Sequence, residues 1–131
     1  EHPGGSSTLP DDVTRDAYSH EMYDAGFWPG GPDIPEPSFF SYAYPEPPGF
    51  RDGRNLPEGV RFDMKLEEYV FPYEFVRKAP HPERRLLEFL QVTYELAAET
   101  GNWDRKALES EIGKPRVVRT TGLKKPASRR V

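Results

Sequence analysis

The pair His20–Glu21 joins two side-chain types that commonly exchange protons in enzymes. Both lie in the run AYSHEMYDAGFW, residues 17–28, whose aromatic residues and length are typical of a strand. Neighbouring side chains of a strand point to opposite faces, so His20 and Glu21 would not contact each other there. A catalytic role therefore requires a second group from elsewhere. The alternative is a half-buried histidine bonded to a tyrosine or a carbonyl group.

Aromatic side chains form a second set of candidates, because rings at strand spacing can line a ligand groove. Rings at this spacing are also common in hydrophobic cores, so both interpretations stay open. Buried tyrosine hydroxyls need hydrogen-bond partners, and we expect Glu46 or His20 to supply them. The candidate ligand-binding residues are Trp28, Tyr42, Tyr44 and Glu46, with Phe27 and Phe40 beside them.

Other kinds of site find little support in the sequence. The chain has no cysteine and three scattered histidines, whereas zinc sites need three or four ligands with local pairs. Gly30-Gly31 is followed by proline and aspartate rather than by a helix, unlike a phosphate-binding loop. No G-x-S-x-G nucleophile elbow is present. The sequence therefore predicts no metal site and no cofactor.

The elements that would position these residues begin with a strand over Ser38–Tyr44, SFFSYAY. One side carries Phe40, Tyr42 and Tyr44, and the other carries mostly small groups that allow another element to approach closely. Residues 60–63 and 68–71 predict a hairpin, and residues 73–79 a helical turn. Gly26, inside the first aromatic run, suggests a bulge or bend.

The clearest element is a helix over Pro82–Thr100, with Pro82 at its first position and Gly101 as a left-handed residue past its end. Asn102 is then expected to cap a short helix over residues 103–111. An amphipathic helix of this length must pack against a sheet or a partner. Its polar stripe is Arg84, Glu88, Gln91, Glu95 and Glu99, and its apolar face is Leu86, Leu87, Phe89, Leu90, Tyr94, Ala97 and Ala98.

These elements predict an α+β fold. It consists of a small antiparallel sheet from about residues 17–28, 38–45, 60–63 and 68–72, covered by one long amphipathic helix and joined by proline-rich loops. The predicted domain organisation is an α+β unit over residues 1–111 and a basic, disordered tail over residues 112–131. Residues 1–111 carry 22 acidic and 11 basic side chains, whereas the tail carries seven basic side chains and no acidic one. We expect no nucleic-acid binding beyond nonspecific contacts of the tail.

The composition of the chain and the length of its apolar runs also bear on its location in the cell. The longest apolar runs have four residues, far below the ~20 that a membrane-spanning helix needs. No signal peptide is visible, and the lack of cysteine fits a reducing compartment. The sequence therefore predicts a cytoplasmic protein without membrane contact.

Four stretches together resemble an uncharacterised family of bacterial proteins, a domain of unknown function. They are AYSHE with GFWPGG at residues 17–31, FFSYAYPEPPGF at 39–50, EEYVFPYEFVR at 67–77, and LLEFLQVTYELAA with WDRKALE at 86–109. The resemblance covers roughly residues 1–111. Because six of the candidate residues belong to these signature stretches, the resemblance strengthens their candidacy as site residues. They are His20, Glu21, Trp28, Tyr42, Tyr44 and Glu46.

Members of that family are about twice as long, and their preceding half includes strands of the same sheet. The resemblance thus implies that this chain is a C-terminal half, a truncated fragment, partnered by the missing N-terminal half or by a second copy. The family supplies no activity. Two hypotheses follow: a non-catalytic module that binds a ligand or a protein through the aromatic face, or a hydrolase or isomerase. The second would use His20 as general acid/base, helped by Glu21, Tyr42 or Glu46.

Overall fold

The computed structural model describes residues 8–110 and shows a four-stranded antiparallel sheet with a long helix packed against it. This confirms the predicted α+β class. The strand order is β1-β2-β4-β3. Along the chain the elements are α1 (Asp12–Ala17), β1 (Met22–Trp28), β2 (Ser38–Tyr44), a 3₁₀ turn (Phe50–Asp52), β3 (Arg61–Asp63), β4 (Glu68–Pro72), α2 (Tyr73–Arg77), α3 (Pro82–Thr100) and α4 (Arg105–Leu108).

The first strand is shorter than the aromatic run predicts. It begins at Met22 instead of residue 17, because residues 12–17 form α1. The Asp11 side chain caps this helix by accepting a hydrogen bond from the Thr14 amide at 2.8 Å. His20 consequently lies in the turn between α1 and β1 instead of on the strand.

Gly26 does not form the predicted bulge. It pairs in regular register with Phe40 on β2. A Cβ atom at Gly26 would lie 2.8 Å from Cζ of Phe40, so any larger residue would displace the Phe40 ring, which lies across the backbone of β1.

The two faces of β2 have different neighbours, as the alternation predicts. Ser41 and Ala43 are buried on the helix face, the side of the sheet that packs against α3. Tyr23 on β1 shares this face, and its hydroxyl lies 2.8 Å from Thr93 Oγ1 of α3. The opposite side, here called the ring face, carries Phe40, Tyr42 and Tyr44.

The hairpin β3–β4 is confirmed, with Arg61 opposite Val70 and Asp63 opposite Glu68. Its turn is held by Asp63 Oδ1, which accepts hydrogen bonds from the amides of residues 65 and 66 at 3.0 and 3.1 Å. The predicted helical turn after β4 is α2.

Helix α3 has the predicted bounds, and Phe89, Thr93, Ala97 and Ala98 are its buried residues. The predicted apolar face is wrong at Leu87, whose side chain is 65% exposed. Thr93, which the apolar pattern omitted, is fully buried because its hydroxyl bonds to the Phe89 carbonyl and to Tyr23.

The end of α3 differs from the prediction by one residue. Gly101 has φ −79°, and Asn102 is the left-handed residue at φ 53°. The amide of Trp103 then bonds to the carbonyl of Ala98 at 2.8 Å, as in a Schellman motif. Helix α4 begins at Arg105 and is capped by Asp104 instead of Asn102. It ends at Leu108, so it is shorter than the predicted helix over residues 103–111 at both ends. The predicted tail lies outside the described residues.

Candidate functional site

A row of polar side chains crosses the ring face of the sheet. Asp24 on β1 lies opposite Tyr42 on β2, and Glu68 on β4 lies opposite Asp63 on β3. The pairing of Ser41 with residue 69 places Tyr42 beside Glu68. Adjacent strands are ~4.8 Å apart, so the sheet sets carboxyl groups at both sides of the Tyr42 ring.

Hydrogen bonds fix the Tyr42 hydroxyl within this row. It donates to Asp24 Oδ2 at 3.0 Å, and the Tyr18 hydroxyl lies 2.8 Å from it. Because the one proton of Tyr42 goes to Asp24, the Tyr18 hydroxyl must donate to Tyr42. Burial raises the pKa of Tyr42, and the bonds to Tyr18 and Asp24 raise it further. The hydroxyl therefore stays protonated at neutral pH and acts as a donor.

The ring face contains a cavity of about 290 Å³, here called the ring-face cavity. The loop between β1 and β2 folds over the sheet and forms one wall, with Ile34 only 3% exposed. A turn bond of 2.8 Å from the Gly31 amide to the Ile34 carbonyl shapes this loop. The lining residues are Trp28, Asp33, Ile34, Phe40, Tyr42, Leu66 and Glu68.

Of the carboxyl groups in and beside the cavity, two have a basic partner and one has none among the described residues. Lys65 pairs with Asp33 at 2.5 Å, and Arg61 pairs with Asp63 at 2.8 Å. Glu68, in contrast, has no hydrogen bond or ion pair to any described residue. Burial raises the pKa of Glu68, and the nearby Asp63 carboxylate adds to this. Among the described residues, the Glu68 carboxylate thus lines the cavity without an ionic partner, beside the Asp33–Lys65 ion pair and the aromatic and aliphatic side chains.

The structure brings two of the four predicted ligand-binding residues to the cavity, Trp28 and Tyr42. Tyr44 shares the ring face but is not a lining residue; its ring meets that of Tyr18 edge-on at 4.9 Å. Glu46 lies beyond β2 and accepts hydrogen bonds from Arg51 at 2.6 and 2.9 Å. The expectation that Glu46 or His20 bonds the tyrosine hydroxyls is wrong for Tyr42, because its partners are Asp24 and Tyr18.

The two predicted catalytic residues lie outside the ring-face cavity. His20 is exposed, and its Nδ1 is 3.1 Å from the Ser19 hydroxyl. Glu21 is also exposed and accepts a hydrogen bond of 3.1 Å from the indole of Trp103. A catalytic role for either residue stays a prediction.

Trp28, Phe40 and Tyr42 were among the aromatic residues that the sequence offered for a groove, whereas four of the seven lining residues were missed: Asp33, Ile34, Leu66 and Glu68. A signal for Glu68 was present, since the predicted hairpin and strand alternation place it on one face with Val70. The wall from the β1–β2 loop had no such signal, because PGGPDIPEP has no periodicity.

No helix within residues 8–110 is long and apolar enough to span a membrane. In the same part of the chain, no group of three or more histidine, aspartate or glutamate side chains is arranged to hold a metal ion. The fold is an α+β module, a sheet with a helix on one face and a cavity on the other.

Comparison with family models identifies the family. The model of a family of unknown function, DUF5996, matches residues 1–110, so the chain belongs to this family. This confirms the resemblance to an uncharacterised domain of unknown function. Comparison with curated proteins gave no significant match, and comparison with solved structures gave none either.

Proposed function

We propose that this chain is a non-catalytic binding module that takes a small ligand into the ring-face cavity. The observation that carries the proposal is the cavity itself, about 290 Å³ in volume and lined by three aromatic rings, two aliphatic side chains and two carboxyl groups. Ligand sites are commonly concave, mostly apolar and supplied with a few polar groups that set orientation.

The state of the polar groups supports binding over catalysis. Tyr42 holds its proton and is committed to Asp24, which suits a fixed wall better than a group that must exchange protons at neutral pH. The alternative, a hydrolase or isomerase with His20 as general acid/base, would need a substrate position outside the ring-face cavity.

The two tryptophans allow a direct test, because Trp28 lines the cavity and Trp103 lies near Tyr94 and Glu21. In a Trp103→Phe variant excited at a wavelength that tyrosine does not absorb, all tryptophan emission comes from Trp28. We expect members of a small-molecule fragment library to change this emission. In a matched Trp28→Phe variant, the same compounds should leave Trp103 emission unchanged.

The hits should also shift the backbone amide NMR signals of Gly31, Leu66 and Glu68 more than those of α3. A library without any fluorescence hit would refute the proposal. Hits whose amide shifts map to α3 instead of the ring face would refute it equally.

We also propose that the outer edge of β1 pairs with a further strand, either from the N-terminal half implied by the family resemblance or from a second copy. Two observations favour this: β1 pairs only with β2 among the described residues, and Phe27 and Trp28 at its end are 49% and 46% exposed. Light scattering should show a dimer, or a monomer that forms a 1:1 complex with the added N-terminal half. A monomer that does not bind that half would refute pairing. A cytoplasmic location also stays a prediction.

A further inference from the structure

We propose that the ligand of the ring-face cavity is a small organic cation, an ammonium group carrying methyl or methylene groups, with Glu68 as its counter-charge. The inference rests on the proposed function and names the ligand class of the same site.

The charges around the cavity select the sign of the ligand. Asp33 and Asp63 already have basic partners, Lys65 and Arg61. Glu68 is the lining carboxylate without a cation among the described residues. An anion would be repelled by Glu68, and a neutral ligand would cover its charge without a partner, which is unfavourable. A cation satisfies this carboxylate.

The aromatic walls favour the same sign. Trp28, Phe40 and Tyr42 all line the cavity, and the rings of Phe40 and Tyr42 lie within 16° of parallel with centroids 6.3 Å apart. The faces of such rings attract cations, most strongly for tryptophan. The walls therefore contribute three aromatic rings with which a positively charged head group can interact.

The remaining walls select an organic cation over a metal ion. Ile34 and Leu66 contribute aliphatic surface, which suits methyl or methylene groups on nitrogen. Calcium and magnesium instead take six or more oxygen ligands, counting water. Asp33 and Glu68 are the two carboxyl groups of the lining, and Asp33 is already paired with Lys65.

Three probes with the same branched head test the sign of the charge. Choline is cationic, 3,3-dimethylbutan-1-ol is its neutral carbon analogue, and 3,3-dimethylbutyrate is anionic at neutral pH. Each is titrated at low ionic strength into the whole chain carrying Trp103→Phe, and Trp28 emission is followed. We expect choline to bind at least about fivefold more tightly than the alcohol, and the alcohol more tightly than the acid.

Two variants test whether Glu68 is the counter-charge of the ligand. Glu68→Gln keeps the shape and should weaken choline binding by about fivefold, while changing the affinity of the alcohol by less than about twofold. Glu36→Gln is the matched control, since it removes one charge from an exposed position of the β1–β2 loop that does not line the cavity. This control should bind all three probes as the parent does.

The results separate the two proposals. Equal affinity for the three probes, or tighter binding of the acid, would overturn the cation inference while the binding function stands. The same holds if Glu68→Gln and Glu36→Gln weaken choline binding equally. If no probe binds but the fragment screen gives ring-face hits, the ligand class is wrong. Failure of the binding function itself appears as a screen without hits, or as hits whose amide shifts map to α3.

Discussion

Replacing Tyr42 by phenylalanine should destabilise the fold more than the same replacement at Tyr18, although each change removes one hydroxyl group. Tyr42 donates to the Asp24 carboxylate and accepts the bond that Tyr18 donates. A hydrogen bond to a charged group contributes ~1.5–3 kcal/mol, and a neutral one ~1 kcal/mol. Because these side chains are only partly buried, we expect about 1.5–2.5 kcal/mol for Tyr42→Phe and about 0.5–1 kcal/mol for Tyr18→Phe.

The assay is urea unfolding monitored by circular dichroism, with the free energy of unfolding extrapolated to water. The double variant adds a second test. Once Tyr42 is phenylalanine, the Tyr18 hydroxyl has lost its acceptor, so removing it should cost little more. The double-mutant cycle should therefore show a coupling of about 0.5–1 kcal/mol. Tyr73→Phe is the control, because Tyr73 is 41% exposed and its hydroxyl has no partner among the described residues.

Three results would refute this reasoning. Equal costs for Tyr18→Phe and Tyr42→Phe would mean that the bond from Tyr42 to Asp24 contributes no stability, because only Tyr42→Phe removes it. Strict additivity in the double variant would mean that the two hydroxyls do not interact. A cost for Tyr42→Phe no larger than that of the Tyr73 control would remove the hydrogen-bond chain from the account altogether.

The other predictions concern the core and the cavity charge. Phe89→Ala should cost about 3–5 kcal/mol in thermal or urea unfolding, whereas Leu87→Ala, at an exposed position, should cost less than about 0.5 kcal/mol. Tyr69→Phe should cost about 1–3 kcal/mol, because the buried carbonyl of Phe50 loses a donor; a neutral result in the same assay would contradict this bond. Glu68→Gln should make the protein more stable than the parent at pH 7, since burial disfavours the ionised carboxylate. This advantage should shrink as the pH falls through the raised pKa of Glu68 and vanish below its ordinary value of 4.5, as measured by unfolding at several pH values.

Much of the fold was predictable because it depends on local periodicity. The alternation in SFFSYAY gave the two faces of β2, and the pattern of α3 gave its bounds, with Pro82 at the start. The errors lie where a tertiary contact overrides the pattern. Gly26 accommodates the ring of Phe40, and Thr93 is buried because Tyr23 supplies a hydroxyl partner.

The candidate site was less predictable for the same physical reason. Trp28 and Tyr42 were found from ring spacing, but Asp24 was missed as the partner of Tyr42 because cross-strand register is not visible in the sequence. Ile34 and Asp33 were missed because a loop of prolines and glycines carries no periodic signal. Glu68 differs, because the role proposed for it depends on the lack of an ionic partner among residues 8–110, and only the assembled fold reveals that lack.

The most direct test of the central claim, that the ring-face cavity is the ligand site, is a nuclear Overhauser measurement on the chain with a fragment hit bound. We expect contacts from ligand protons to the ring protons of Trp28, Phe40 and Tyr42, and to the methyl groups of Ile34. Contacts to Tyr73 or Phe75 instead, with none to these four residues, would contradict it.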